Sequence, residues 1–163
     1  MDIKQALEKD IIDVLYLLKK DMEMIQSGHN WRLPVPDYMF LKGEISQGHL
    51  YILRQHNISI GTFSLDSVND PSKDYQRQNV LLVHRIAIAS YWINNETLRE
   101  IIDFLEKFAT GHQFTAIRFH INSNNEKMNT FYTNLNLHFL GEIHYPSSET
   151  PYLQYEKPLE VKF

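Results

Sequence analysis

Val83-His-Arg-Ile-Ala-Ile-Ala-Ser-Tyr-Trp-Ile-Asn-Asn-Glu-Thr-Leu-Arg99 runs from an apolar strand, through a short loop, into the N-terminus of a helix that continues over Glu100–Ala109. A strand–loop–helix unit of this kind leaves the first backbone N–H groups of the helix without intrahelical partners. Phosphate-bearing ligands are commonly held on such groups. Val80–Ala89 is a continuous apolar run broken only by His84-Arg85, as expected of a central strand buried on both faces. Beyond the loop, Leu98, Ile101, Ile102, Leu105 and Phe108 form one apolar side of a helix over Asn94–Ala109, which Gly111 is expected to end.

Upstream, Ile3–Ala6 reads as a short strand. From Asp10 the apolar positions Ile11, Val14, Leu15, Leu18, Met22 and Ile25 recur at helical spacing until Ser27-Gly28. Asn30–Pro36, with Trp31, Pro34 and Pro36, is an irregular crossing segment, and Asp37–Gln47 a shorter helix stopped by Gly48. Leu50–Gln55 and Ile58–Leu65 flank His56-Asn57, a two-residue hairpin loop, and the polar Asp66–Asn79 is expected to be a mobile loop. Downstream come a strand over Phe114–Ile121, a helix over Ser123–Leu135 with Ser123 and Glu126 as a capping box, and strands over Leu137–Ile143 and Tyr152–Lys157. The order β-α-α-β-β-β-α-β-α-β-β predicts an α/β (α+β) fold: a mixed, mostly antiparallel central sheet of about six to seven strands with helices on both faces. Residues 1–163 read as a single domain.

Of the 163 residues, 43% are hydrophobic and 22% charged, which is globular rather than disordered composition. No cysteine is present, so disulfides, zinc fingers and thiol nucleophiles are excluded. A net charge of −4 with scattered Lys and Arg speaks against nucleic acid. No apolar run reaches the ~20 residues that span a bilayer, and no signal peptide is evident, so no membrane association and a cytoplasmic location are expected. No G-x-S-x-G, H-E-x-x-H, Walker or dinucleotide motif occurs.

Two segments carry a family resemblance. Leu82-Val-His-Arg-Ile-Ala-Ile88 is similar to the central strand, and Ser123-Asn-Asn-Glu-Lys-Met-Asn-Thr-Phe-Tyr-Thr-Asn-Leu-Asn-Leu-His-Phe-Leu-Gly-Glu-Ile143 to the N-x-x-A-x-x-x-Y-x-x-x-G-[FY] helix and following strand, of the acyl-CoA N-acyltransferases, the GNAT superfamily. Pro151–Lys157 resembles the closing strand of many members. The resemblance covers essentially the whole chain. It implies transfer of an acetyl group from acetyl-CoA to a small-molecule or peptide amine by direct attack, without a metal, and it leaves room for a homodimer. By the same resemblance the backbone of Ile86, Ala87 and Ile88 pairs with the pantetheine arm, Asn125 contacts that arm, and Tyr132 protonates the leaving thiolate. The family's pyrophosphate loop reads [QR]-x-x-G-x-[GA]. The corresponding residues here are Ile93, Asn94, Asn95, Glu96, Thr97 and Leu98, so the three signature positions hold Ile93, Glu96 and Leu98; the helix closes on Asn136, followed by Leu137.

These residues also have structural readings. Asn94-Asn95-Glu96 is an ordinary N-cap with an acidic first turn. Glu96 facing a pyrophosphate ~4 Å away would cost about 4 kcal/mol at an effective dielectric near 20, and Leu98 adds bulk to the loop. Phe131-Tyr132 is equally a core-facing aromatic pair. For the base, His84, His120 and His144 fall on three strands expected to be neighbours, with His84 taken as the catalytic candidate. No Asp or Glu partner is evident near them, and a metal site is not expected. Trp31, Tyr145 and Tyr152 are the candidates for an acceptor pocket, with Tyr155 nearby. Two readings stay open: an N-acetyltransferase, or a GNAT-fold binding or regulatory protein that no longer uses acetyl-CoA efficiently.

Overall fold

The computed structural model describes residues 1–25, 36–68, 79–135, 137–146 and 150–160. Trp31, Asn136 and most of the polar loop before Asn79 lie outside these residues.

Seven strands form one sheet: β1 (Asp2–Gln5), β2 (Leu50–Gln55), β3 (Ile58–Val68), β4 (Val80–Ile88), β5 (Ala116–Asn122), β6 (His138–Ile143) and β7 (Tyr152–Pro158). Their spatial order is β1-β2-β3-β4-β5-β7-β6. Every neighbouring pair is antiparallel except β4 and β5. That parallel pair requires a crossover, which α3 (Asn95–Gly111) supplies. The other helices are α1 (Ile11–Ile25), α2 (Tyr38–Ser46) and α4 (Glu126–Asn134). The β2–β3 hairpin turns on His56 (φ 50°) and Asn57 (φ 64°), the left-handed pair that a two-residue loop needs to follow strand twist.

The sheet is covered on both faces. One core joins Phe63, Leu65, Leu81, Val83 and Ile88 to α3 through Leu98, Ile101 and Leu105 and to α4 through Met128, Phe131 and Tyr132. The other packs Leu50, Ile52 and Ala87 under Ile11, Val14, Leu18 and Leu41 of α1 and α2. The helical stripes read from the sequence are therefore the faces that are buried.

Several local details differ from expectation. β3 runs on to Val68, so the polar loop begins later. Gly111 closes α3 from within, and His112 caps it. Helix α4 starts at Glu126 under Asn125, whose side chain accepts from the Met128 N–H at 3.4 Å, rather than under a Ser123–Glu126 box. β4 is buried on both faces at its ends, but His84 and Arg85 at its middle are only half buried. Finally, β7 separates β6 from β5, so His144 does not join His84 and His120; it is exposed beside Glu142, 3.4 Å away.

Candidate functional site

β4 pairs with β5 only from Val80–Val83 to Ala116–Phe119. At that point β4 carries a bulge. Thr62 of β3 faces Ala87 and Ser64 faces His84, so Arg85 and Ile86 together oppose Phe63 alone. Arg85 takes φ 50°, a conformation uncommon for a non-glycine residue within a strand and of the kind found where function outweighs local strain. Past the bulge, Ile86, Ala87 and Ile88 remain in β4, but the pairing with β5 stops short of them. Among the described residues their edge toward β5 therefore has no strand partner.

The divergence opens a cleft of about 320 Å³ on the α1/α2 side of the sheet. Leu18, Asp21 and Met22 of α1 form one wall, His84, Arg85 and Ile86 of β4 another, and His120, Ile121 and Asn122 of β5 a third; Pro36, Asn125, Tyr145 and Tyr152 complete it. Tyr145 and Tyr152 meet edge to face, ring centroids 5.0 Å apart.

The cleft's titratable groups are strongly perturbed. Burial raises the Asp21 carboxyl from 3.8 to about 7. Burial and the charge of His84 depress the His120 imidazole to about 4, so it is neutral at physiological pH; Nδ1 lies 3.2 Å from the Tyr145 hydroxyl. His84 bonds through Nε2 to Asp66, a carboxylate partner that the sequence did not reveal. Burial and Arg85 lower the His84 pKa against that pair. Asp66 also takes His49 Nδ1 at 3.2 Å. Arg85 stands over the Phe40 ring, 4.6 Å from its centroid, with Glu44 Oε2 at 3.8 Å. Among the described residues no group of three or more His, Asp or Glu side chains is arranged to hold a metal ion.

A second groove, about 430 Å³, lies where the N-terminus of α3 meets α4, lined by Ile93, Asn94, Asn95, Leu98, Lys127 and Asn134 among others. Asn94 caps α3 by accepting from the Thr97 N–H at 2.9 Å, which uses one of the helix's open donors. Glu96 is exposed and outside the groove's lining, so its charge is hydrated rather than aimed at a bound anion. Leu98 is 3% exposed and belongs to the α3 core stripe, and it also forms part of the groove's lining. Lys127 adds a cation to the same groove, and Glu126 beside it adds a carboxylate.

The remaining candidates divide. Asn125 is 4% exposed and both caps α4 and lines the cleft. Tyr132, 1% exposed, is packed among Phe119, Phe131 and Tyr155 with ring centroids 4.9, 5.8 and 5.7 Å away, and burial pushes its phenol pKa up. It lies outside the cleft's lining. Tyr155 is likewise core, its hydroxyl donating to Asn129 Oδ1 at 3.3 Å. Asp21 and Asn122 were not singled out from sequence. Asp21 had a legible signal, since it continues the apolar helical stripe Val14, Leu18 at a position where an apolar residue is expected.

No protein-family model and no characterised protein sequence matches this chain. Solved structures do. The GNAT-family acetyltransferase from Streptococcus agalactiae superposes with TM-score 0.71 at 16% identity, covering 98% of this chain and 96% of that one. The ribosomal-protein-alanine N-acetyltransferase from Brucella melitensis gives 0.70 at 14% identity, covering 98% and 100%. YncA, a putative acetyltransferase from Salmonella typhimurium with its cofactor acetyl-CoA, gives 0.70 at 11% identity, covering 100% and 96%. The chain therefore has the GNAT fold.

Proposed function

We propose that the protein is an acyl-CoA-dependent N-acyltransferase that moves an acetyl group from acetyl-CoA to an amine by direct attack. The observation that carries this reading is the divergence of β4 from β5 at the Arg85 bulge, which leaves Ile86, Ala87 and Ile88 without a β5 partner, Ile86 lining a cleft together with titratable groups. Acetyl-CoA would supply the thioester whose carbonyl carbon the amine attacks as the C–S bond breaks. The β4 N–H edge is suited to the developing oxyanion. Ile93, Asn94, Asn95, Leu98, Glu126 and Lys127 are among the residues lining the groove that would hold the pyrophosphate, with Thr97 donating its N–H to the Asn94 cap; Asn125 would stand by the pantetheine arm, and Glu96 stays in solvent.

His84 is the base in this reading. Its Nε2–H donates to Asp66, which leaves the Nδ1 lone pair of a neutral imidazole to accept the amine proton, and Asp66 stabilises the imidazolium that results. Tyr132, the acid expected from the resemblance, is packed in the core outside the cleft and its phenol is made less acidic by burial, so it is not the acid of this reading; CoA leaves as the thiolate and takes its proton from water. Tyr145 and Tyr152 flank the acceptor.

A thermal melt with acetyl-CoA tests the reading. At about 100 times its Kd, the ligand should stabilise the protein by about 2.7 kcal/mol, or roughly 5–10 °C for a domain of this size. No shift at millimolar ligand would overturn it in favour of a GNAT-fold protein that does not use acetyl-CoA. Lys127→Glu checks the groove. One charge ~4 Å from a phosphate in water is worth about 1 kcal/mol; reversal counts twice, so titration calorimetry should show acetyl-CoA binding about thirtyfold weaker.

A further inference from the structure

Two buried polar atoms of β5 have no hydrogen-bond partner: His120 Nε2 and Asn122 Nδ2. The residues sit two apart on one strand, so they share a face of the sheet, and both line the cleft. Asn122 is 3% exposed, and its amide orientation is determined by its surroundings. Oδ1 accepts from the Asn124 N–H at 2.9 Å and from Thr150 Oγ1 at 3.2 Å, which turns the NH2 group away from those donors. Tyr152 interacts with the Asn122 side chain and Gln154 with that of His120, but too loosely for a well-formed hydrogen bond to Nδ2 or Nε2. His120 Nδ1 lies 3.2 Å from the Tyr145 hydroxyl, and Nε2 donates when that hydroxyl donates to Nδ1; Asn122 Nδ2 is a donor in either case.

The cleft thus holds one fixed N–H donor, Asn122 Nδ2, and beside it a ring nitrogen, neither with a hydrogen-bond partner in the protein. A buried donor left unpaired is costly and is normally matched by a ligand or water. An amine does not match it, because an ammonium needs acceptors, and Asp21 and His84 already supply those. A second ammonium is also disfavoured by the Arg85 guanidinium on the facing wall. What fits is an oxygen acceptor. Leu18, Met22, Ile86 and Ile121, with the two tyrosines, leave apolar walls for the body of the molecule.

We propose that His120 and Asn122 form the seat for a carbonyl or carboxylate oxygen of the acceptor, so that the amine acetylated belongs to an α-amino acyl group, as a free amino acid or as an amino-acid amide. The role of the amine as acceptor rests on the acyltransferase reading; the oxygen seat does not.

Isothermal titration of the full chain, without CoA, with L-phenylalanine, L-phenylalaninamide and phenethylamine tests the seat directly. The third probe is the first with its carboxylate removed. A site built to hydrogen-bond an oxygen rejects the analogue that lacks it, and at least tenfold tighter binding of one of the first two is expected. Preference between those two separates a carboxylate from a carbonyl ligand. Asn122→Asp retains Oδ1 for Asn124 and Thr150 but replaces the donor with an acceptor. A carboxylate buried there lowers the melting temperature, so binding is read well below the variant's own melt, where the preference should fall to within about twofold. Phenethylamine binding as well as the other two, no binding of any at about 10 mM (a Kd in which no site of value resides), or an Asn122→Asp protein that keeps the preference would each overturn the proposal. Acetyl-CoA titrated in parallel separates the two readings: its failure to bind with the phenylalanine preference intact removes the acyltransferase and leaves the seat.

Discussion

Arg118→Met is expected to lower the melting temperature by roughly 6–20 °C, taking 3–5 kcal/mol for a broken buried pair and about 2–4 °C per kcal/mol for a domain of this length. Arg118 on β5 lies directly across from Glu156 on β7, donating to one carboxylate oxygen from Nε at 3.3 Å and from Nη2 at 2.8 Å. Both side chains are nearly out of water, 7% and 6% exposed. Removing the guanidinium leaves the Glu156 carboxylate desolvated and short of its strongest donor, whereas removing both charges does not. Arg118→Met/Glu156→Leu should therefore regain most of the loss, because replacing a buried ion pair with apolar groups of similar volume is often neutral or better. Calorimetric melts of the two proteins decide the matter. A double variant no more stable than Arg118→Met would mean that the pair holds the β5–β7 register through something other than charge.

The second large effect concerns Asp21, and it depends on pH. Its carboxyl rises from 3.8 to about 7 in the fold through burial. The unfolded chain therefore releases this proton first, and stability present below about pH 4 is lost as pH rises through 7. At about 1.4 kcal/mol per pH unit, the loss is on the order of 4 kcal/mol. His120 works in the opposite direction. Its pKa falls from 6.5 to about 4, so stability complete above 6.5 is lost as pH falls toward 4. Between about pH 4 and 6.5 the two contributions nearly cancel in the parent protein. Asp21→Asn removes one of them. The variant should match its parent near pH 4 and exceed it by a few kcal/mol at pH 8, as read from denaturant midpoints at the two pH values. Equal stabilisation at both would mean that Asp21 is not titrating. Such a gain from deleting a cleft carboxylate would mark Asp21 as a residue kept at a cost in stability, as functional groups often are.

The element order was legible because it rests on local periodicity and turn chemistry. Ile11, Val14 and Leu18 on α1, and Leu98, Ile101 and Leu105 on α3, are buried where their spacing puts them, and His56-Asn57 turns a hairpin as its residue types require. The cleft was legible in part. His84, Asn125, Tyr145 and Tyr152 all line it, and Trp31 falls outside the described residues. Tyr132 sits in the core against Phe119 and Tyr155, because the α4 face that carries Met128 and Phe131 carries it too.

Leu98 illustrates the limit. It is both a position in the phosphate-loop pattern and a member of the α3 apolar stripe, and only the packed helix decides that its side chain turns inward. Glu96, two residues earlier, turns to solvent for the same reason: it lies on the other side of the helix. Asp21, His84 and Asn122 come from three distant parts of the chain, and no local pattern relates them. By itself the sequence determined which segments are helices and strands and which of their faces are apolar, since these follow from backbone propensity and the hydrophobic effect acting over a few residues. The bulge at Arg85, the Asp66–His84 pair and the two unpartnered side-chain nitrogens on β5 were decided only by tertiary structure. Each depends on strand register and on the water that neighbouring elements exclude, and neither is a property of any one segment.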